Sequence, residues 1–190
     1  MIEETNSDLI LDALVEKVSD LTEIKASMMK EACVWCLLEC GHSNGVSINS
    51  IICDDSRCYR LRWNENFVDA QKLFKSYNLD DAVEFGAEAV TFLLILELTP
   101  YTAIERAVKG TGIDYWLGFK SENPQLIFNE NAARLEVSGI LREKGSNTLK
   151  SRIVKKIKQT SPTDNTFPVY VSIVEFGKPK AEVVMKHAKH

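Results

Sequence analysis

Apolar residues recur at helical spacing over 7–20, SDLILDALVEKVSD, behind Ser7-Asp8, a pair suited to cap a helix. A second amphipathic run, 23–41, predicts a helix that stops at Gly41. The pattern then changes period. Residues 45–63 alternate apolar and polar positions on either side of Asp54-Asp55-Ser56, which predicts a β-hairpin. Residues 79–99 are apolar around most of a helical circumference, with Asp80 or Asp81 as cap and Pro100 as terminator.

Downstream the chain reads as short strands and one more helix. TAIERAV (102–108) and GIDYWLGF (112–119) are strand-like and flank a Lys109–Gly112 turn. SENP (121–124) reads as a turn, and QLIF followed by 133–141 as the next strand. Gly145-Ser146-Asn147 opens a helix over 148–160, and 161–166 reads as a loop. Residues 167–177 form an apolar strand and 181–187 a short edge strand. The order predicts an α+β fold, a mixed β-sheet flanked by helices. Residues 1–78 form an N-terminal helical and β-hairpin accessory region, and residues 79–190 an α/β domain.

Composition narrows the class. The chain has 190 residues, 45% hydrophobic and 26% charged, which is ordinary for a soluble globular protein. A formal net charge of −4 gives no bulk attraction to nucleic acid or membrane, so a local basic patch must supply any such affinity. The N-terminus is acidic rather than signal-like, and the longest apolar stretch, Ala87–Leu98, is interrupted by Glu88 and Glu97. The expectation is a cytoplasmic protein with no membrane association. Cys33, Cys36 and Cys40 repeat at i, i+3 and i+7 among apolar residues, which fits a buried helix face better than a zinc site. Five cysteines in all argue against a disulfide framework.

Four carboxylates stand where chemistry is possible. Glu84 and Glu88 lie one turn apart on the long predicted helix. Asp114 opens a strand after Gly112-Ile113, and Glu136 interrupts the otherwise apolar Leu135-Glu136-Val137. Carboxylates on neighbouring strands can converge on one divalent cation, and Mg2+ accepts one or two carboxylates plus waters and substrate phosphate. His42, His187 and His190 are scattered, no glycine-rich phosphate loop is present, and Ser138 has no histidine nearby in sequence. Tyr115 and Trp116 read as packing residues.

The run from Ala82 through Gly118 resembles the opening of a PD-(D/E)XK nuclease domain, of the branch related to Holliday-junction resolvases. The matching pieces are Glu84 with Ala87, Ile104-Glu105-Arg106, Gly112-Ile113-Asp114 and Leu135-Glu136-Val137, within about 100 residues. The resemblance implies a restriction-endonuclease-like fold and Mg2+- or Mn2+-dependent endonuclease activity on DNA. It implies that Asp114 and Glu136 hold the metal and that Glu84 is the helix carboxylate, with Glu88 its rival. The chain departs from the pattern at Ser138, where the resemblance expects a catalytic lysine. Lys150 or Lys155, on the following helix, are the candidates to replace it.

That helix is also the basic part of an acidic chain. Arg142, Lys144, Lys150, Arg152, Lys155, Lys156 and Lys158 fall within 142–158, while Leu149, Ile153 and Ile157 make its apolar stripe. Arg142, Lys144, Arg152, Lys156 and Lys158 are therefore the candidate DNA-backbone contacts. Two readings follow: a metal-dependent DNA nuclease, or an inactive nuclease-fold subunit that docks a protein partner through an exposed apolar patch on residues 1–78. Either reading allows a homodimer.

Overall fold

The computed structural model describes residues 3–18, 21–53, 55–67, 69–120, 132–161 and 167–187. The predicted turn at 121–124 and the strand segment 125–128 lie outside them, as does most of the loop at 161–166. The fold is the expected α+β arrangement, a mixed sheet flanked by helices. In chain order its elements are β1 (Glu3–Ile10), α1 (Leu14–Lys17), α2 (Glu23–Glu39), β2 (Val46–Ile52), β3 (Asp55–Arg62) and α3 (Ala70–Ser76). There follow α4 (Leu79–Leu98), β4 (Tyr101–Arg106), β5 (Tyr115–Phe119), β6 (Ala133–Ile140), α5 (Leu149–Gln159), β7 (Val169–Glu175) and β8 (Lys180–Lys186).

Among the described residues the eight strands form one sheet in the order β1-β3-β2-β8-β7-β6-β5-β4. Its central strands are β8 and β7, and β7 pairs on its other side with β6 in parallel, the two joined through α5. Every residue of β7 is buried, as expected of a strand covered by helices on both faces. On one face α4 packs beneath α2. Thr91 of α4 shares a 2.7 Å hydrogen bond with Ser172 of β7, and Cys36 of α2 donates to the Ala82 carbonyl at 3.3 Å. Cys33 and Cys36 are buried in this interface, as the helical spacing of the cysteines suggests. On the other face α5 covers a smaller core of Ile113, Ile140, Leu149, Ile153, Val169, Val171 and Ile173.

Three elements differ from the sequence reading. Residues 3–10 are a strand, not the start of a helix: Asp8 bonds Arg60 and Arg62 of β3 at 2.9 and 2.8 Å, and pairing with β3 overrides the local helical pattern. Only Leu14–Lys17 keeps an α-helical turn. The segment predicted as a C-terminal edge strand, β8, is interior, antiparallel to β7 and parallel to β2, with Ala181 and Val183 buried. Helix α3 carries almost no apolar signal, since Leu73 is its one buried residue, and it is held by the Asp69 cap. Residues 1–78 and 79–190 thus contribute to one sheet, and their apolar residues merge in one main core.

The helix starts are set by residues next to those expected, upstream for α4 and downstream for α5. Asn78, not Asp80 or Asp81, caps α4 by accepting from the Asp81 amide at 2.9 Å, while the two aspartates sit in the first turn, where the helix dipole favours them. Thr148 caps α5 in a reciprocal box with Ser151. No helix among the described residues is long and apolar enough to cross a membrane.

Candidate metal and phosphodiester site

Strand register brings the acidic pair together. Strands β5 and β6 are antiparallel, with Leu117 opposite Ala133, Trp116 opposite Arg134 and Tyr115 opposite Leu135. The next step along each strand is Asp114 and Glu136, so the two stand across from each other and share a face. Asp114 closes the ladder. Its amide donates to the Leu135 carbonyl at 2.9 Å, and its Oδ2 accepts from the Val137 amide at 2.8 Å. Beyond it the chain turns away through 107–113 while β6 continues to Ile140 beside β7. The turn can sit against the end of α5 because residue 112 is glycine: at φ +77° a Cβ there would lie 2.2 Å from the Gln159 carbonyl oxygen.

Glu136 is fully buried. Its Oε1 accepts from Lys156 Nζ and, at 2.9 Å, from Gln159 Nε2. Its Oε2 is buried without a hydrogen-bond partner. Burial first, and then the Asp114 charge, pushes the Glu136 carboxyl up to about 7, while the Lys156 ammonium pulls the other way. Like charges directly across a ladder are destabilising, and so is a buried polar atom left unsatisfied. A hard divalent cation would relieve both, so the donor set fits Mg2+ or Mn2+. Among the described residues no group of three or more His, Cys, Asp or Glu side chains is placed to hold a metal ion, so two carboxylates would leave its remaining positions to water and phosphate.

Helix phase decides which cation reaches the pair. Leu149 and Ile153 seat α5 on the sheet, and the flank beside that stripe carries Arg152, Lys156 and Gln159 at i, i+4 and i+7. Lys150 falls on the opposite flank and Lys155 further round, so both are exposed and neither lines the cleft. The lysine that meets Glu136 is Lys156, which the sequence reading placed among the DNA-backbone contacts. At the position where a lysine was expected, Ser138 Oγ accepts from Arg152 Nη1 at 3.2 Å, and Arg152 Nη2 donates to Asn147 at 2.7 Å.

A cleft of about 430 Å3 opens over this arrangement, between α4 and α5. One wall is acidic, with Asp80, Glu84 and Glu88; the other carries Arg142, Asn147, Arg152 and Lys156, and Asp114 lies between them. Glu84 is exposed on the rim and pairs with Arg106 at 3.4 Å. Glu88 is buried: it accepts from the Tyr115 hydroxyl at 2.8 Å and lies 3.4 Å from Lys25 Nζ. Burial raises its carboxyl above the ordinary range. Arg142 also donates to the Glu39 carbonyl, and Lys144 and Lys158 are exposed outside the cleft lining. His42 does not line the cleft; its Nε2 faces the Phe176 and Gly177 carbonyls at 3.0 and 3.1 Å.

Sequence spacing gave no sign of Lys25 from the N-terminal segment or of Gln159, and it placed Arg152 among the DNA-backbone contacts without its bond to Ser138. The phase of Leu149 and Ile153, which places positions 152, 156 and 159 on one flank, is the sequence feature from which Gln159 and the inward turn of Arg152 could have been found. No protein-family model matches the chain, and a comparison with curated proteins finds no match.

Proposed function

We propose that the protein is a metal-dependent phosphodiesterase that acts on DNA. The observation that carries this reading is the Asp114–Glu136 pair, set face to face by strand register, with Glu136 buried and Asp114 half-buried at the cleft, an orphaned carboxylate oxygen and a lysine in contact. Asp114 and Glu136 would hold Mg2+ or Mn2+. The bound ion supplies neutralisation of phosphate charge and acidification of a water. The net reaction adds one water across a P–O ester bond and leaves a phosphate monoester and a free hydroxyl.

The chain's own residues do the rest. Lys156 fixes the Glu136 carboxylate in the ground state and presents a positive charge where negative charge grows at phosphorus. Arg152, held by Ser138 and Asn147, and Arg142 offer donors to flanking phosphate oxygens. Lys156 thus takes the part that the resemblance gives to a lysine at position 138.

The test is cleavage of linear and branched DNA in Mg2+. Lys156→Ala is expected to lower kcat about a hundredfold, the usual cost of losing one charge-stabilising donor. Lys150→Ala and Lys155→Ala should stay within about twofold, because both side chains point to solvent. Equal losses for all three would sink the role given to Lys156.

A second reading, an inactive subunit docking a protein partner, draws on a different surface. Ile24 and Met28 are exposed one turn apart on α2, and Phe74 is exposed on α3, whose neighbour Tyr77 donates to the Met28 carbonyl at 3.1 Å. Wild-type protein that cleaves no DNA in either metal would favour it.

A further inference from the structure

Asp114 lines two cavities. Besides the cleft between α4 and α5, a second one of about 590 Å3 lies under the β4–β5 turn, lined by Arg106, Lys109, Gly110, Gly112, Asp114 and Gln159 among others. Gln159 forms the partition: it lines this cavity while its amide bonds Glu136. Asp114 therefore sits at a junction, with Glu136 buried behind it, Arg152 and Lys156 on one side and Arg106 and Lys109 on the other.

The second cavity has the chemistry of a phosphate subsite. It carries two cations, and Asp114 is the one acidic residue among its described lining residues. Arg106 is about half exposed, its guanidinium 5.7 Å from the Tyr115 ring centre and tied to the protein by the 3.4 Å contact with Glu84. Lys109 is exposed on the turn, and at Gly110 no atom lies within 4 Å of where a Cβ would be, which leaves the main chain open to a ligand. In an acidic protein, cations gathered on both sides of Asp114 are a local asymmetry that bulk charge does not explain.

We propose that Arg106 and Lys109 form a second phosphate-binding subsite, so that a single DNA strand crosses the Asp114–Glu136 pair from one cavity into the other. The inference rests on the nuclease reading and deepens it. A strand held by phosphates on both sides of the attacked bond needs no free end, so cleavage is internal.

Two measurements test it. Binding of a fluorescent 20-nucleotide single strand is followed against salt, using full-length Glu136→Gln so that nothing is cut. Adding Arg106→Gln and Lys109→Gln should weaken binding about tenfold and reduce the log–log salt slope by about 1.4, from two lost contacts at about 0.7 each on a single strand. Lys109→Gln alone, at an exposed position that does not threaten folding, should remove about half of that slope. In parallel, wild-type protein with Mg2+ should cut covalently closed single-stranded circles. An unchanged slope, or linear strands degraded while circles stay intact, overturns the subsite and leaves the nuclease reading standing. Absence of both binding and cleavage on every DNA overturns the two together.

Discussion

Glu136→Gln is expected to abolish metal-dependent cleavage, about a thousandfold or more, and at the same time to make the protein more stable at pH 8. The activity loss follows from removing one of two carboxylates that would hold the ion, whose contribution of several kcal/mol converts to that factor at about 1.4 kcal/mol per tenfold. The gain in stability follows from linkage. In the unfolded chain the carboxyl titrates at its ordinary value near 4.5; in the folded protein it is pushed up to about 7. Between those values the folded state holds a proton that the unfolded state has released, so stability falls as pH rises, and above about 7 the loss is complete. Glutamine is neutral throughout and nearly isosteric. Lys156 keeps an anion in the same pocket, because Asp114 remains across the ladder.

The difference between variant and wild type should therefore be small near pH 4.5 and grow to several degrees in Tm by pH 8, measured without metal. A variant that loses stability equally at both pH values would show instead that the Glu136–Lys156 ion pair is a net structural tie. A site that costs stability and carries the activity is the expected signature of a functional carboxylate pair.

Gly139→Ala is the substitution expected to damage the fold most for the least change in volume. Here α4 crosses β6 so closely that a Cβ at residue 139 would lie 2.3 Å from the Val83 carbonyl oxygen and 2.5 Å from the Val83 side chain. The first obstacle is backbone, so the helix itself must move. Val83 lies one residue before Glu84 and five before Glu88, and the displacement carries both away from the cleft wall. Overpacking of this kind costs about 1–3 kcal/mol, and the helix shift puts this site at the upper end. Against a total stability of about 5–15 kcal/mol that is a large fraction. Gly145→Ala separates the two ways a glycine can matter. Its φ is +58° with nothing within 4 Å of a Cβ, so it carries only the conformational cost, about 1 kcal/mol. Urea unfolding of the two variants measures the gap. Equal values would remove the close approach of α4 to β6 as a determinant of the fold.

The half of the chain from Leu79 onward was legible in sequence because its patterns are strong and local. The apolar circumference of 79–98, the aromatic strand 115–119, the apolar strands 133–140 and 169–175, and the stripe Leu149–Ile153 all fold as their periods indicate. The acidic pair was legible as two residues, Asp114 and Glu136, but not as a geometry. Their juxtaposition depends on a register set by Tyr115 opposite Leu135 across a connection no local pattern encodes. The identity of the partner lysine was hidden for a similar reason. Lys155 and Lys156 are adjacent in sequence, and only the seating of Leu149 and Ile153 on the sheet decides between them.

The N-terminal part was harder to read. Leu9, Leu11 and Leu14 satisfy helical and strand periods alike over so short a stretch, and Ser7–Ile10 pair in parallel with Tyr59–Arg62 of β3, a long-range contact that no local pattern encodes. Strand β8 looked terminal because it is last in the described chain, yet the open side of the β2–β3 hairpin pairs with it and makes it interior. Lys25, from the same segment, reaches Glu88 under the cleft. The first 78 residues therefore contribute one of the charges that surround the acidic wall, in addition to three strands.

The most direct test of the account is calorimetric titration of Mg2+ and Mn2+ into wild-type protein and into Asp114→Ala/Glu136→Ala, both shown by circular dichroism to be folded, with and without a phosphorothioate oligonucleotide that resists hydrolysis. The account predicts that the wild type binds the ion, more tightly with the oligonucleotide present, and that the double variant does not. Binding unchanged in the double variant, or absent from the wild type even with the oligonucleotide, would contradict it.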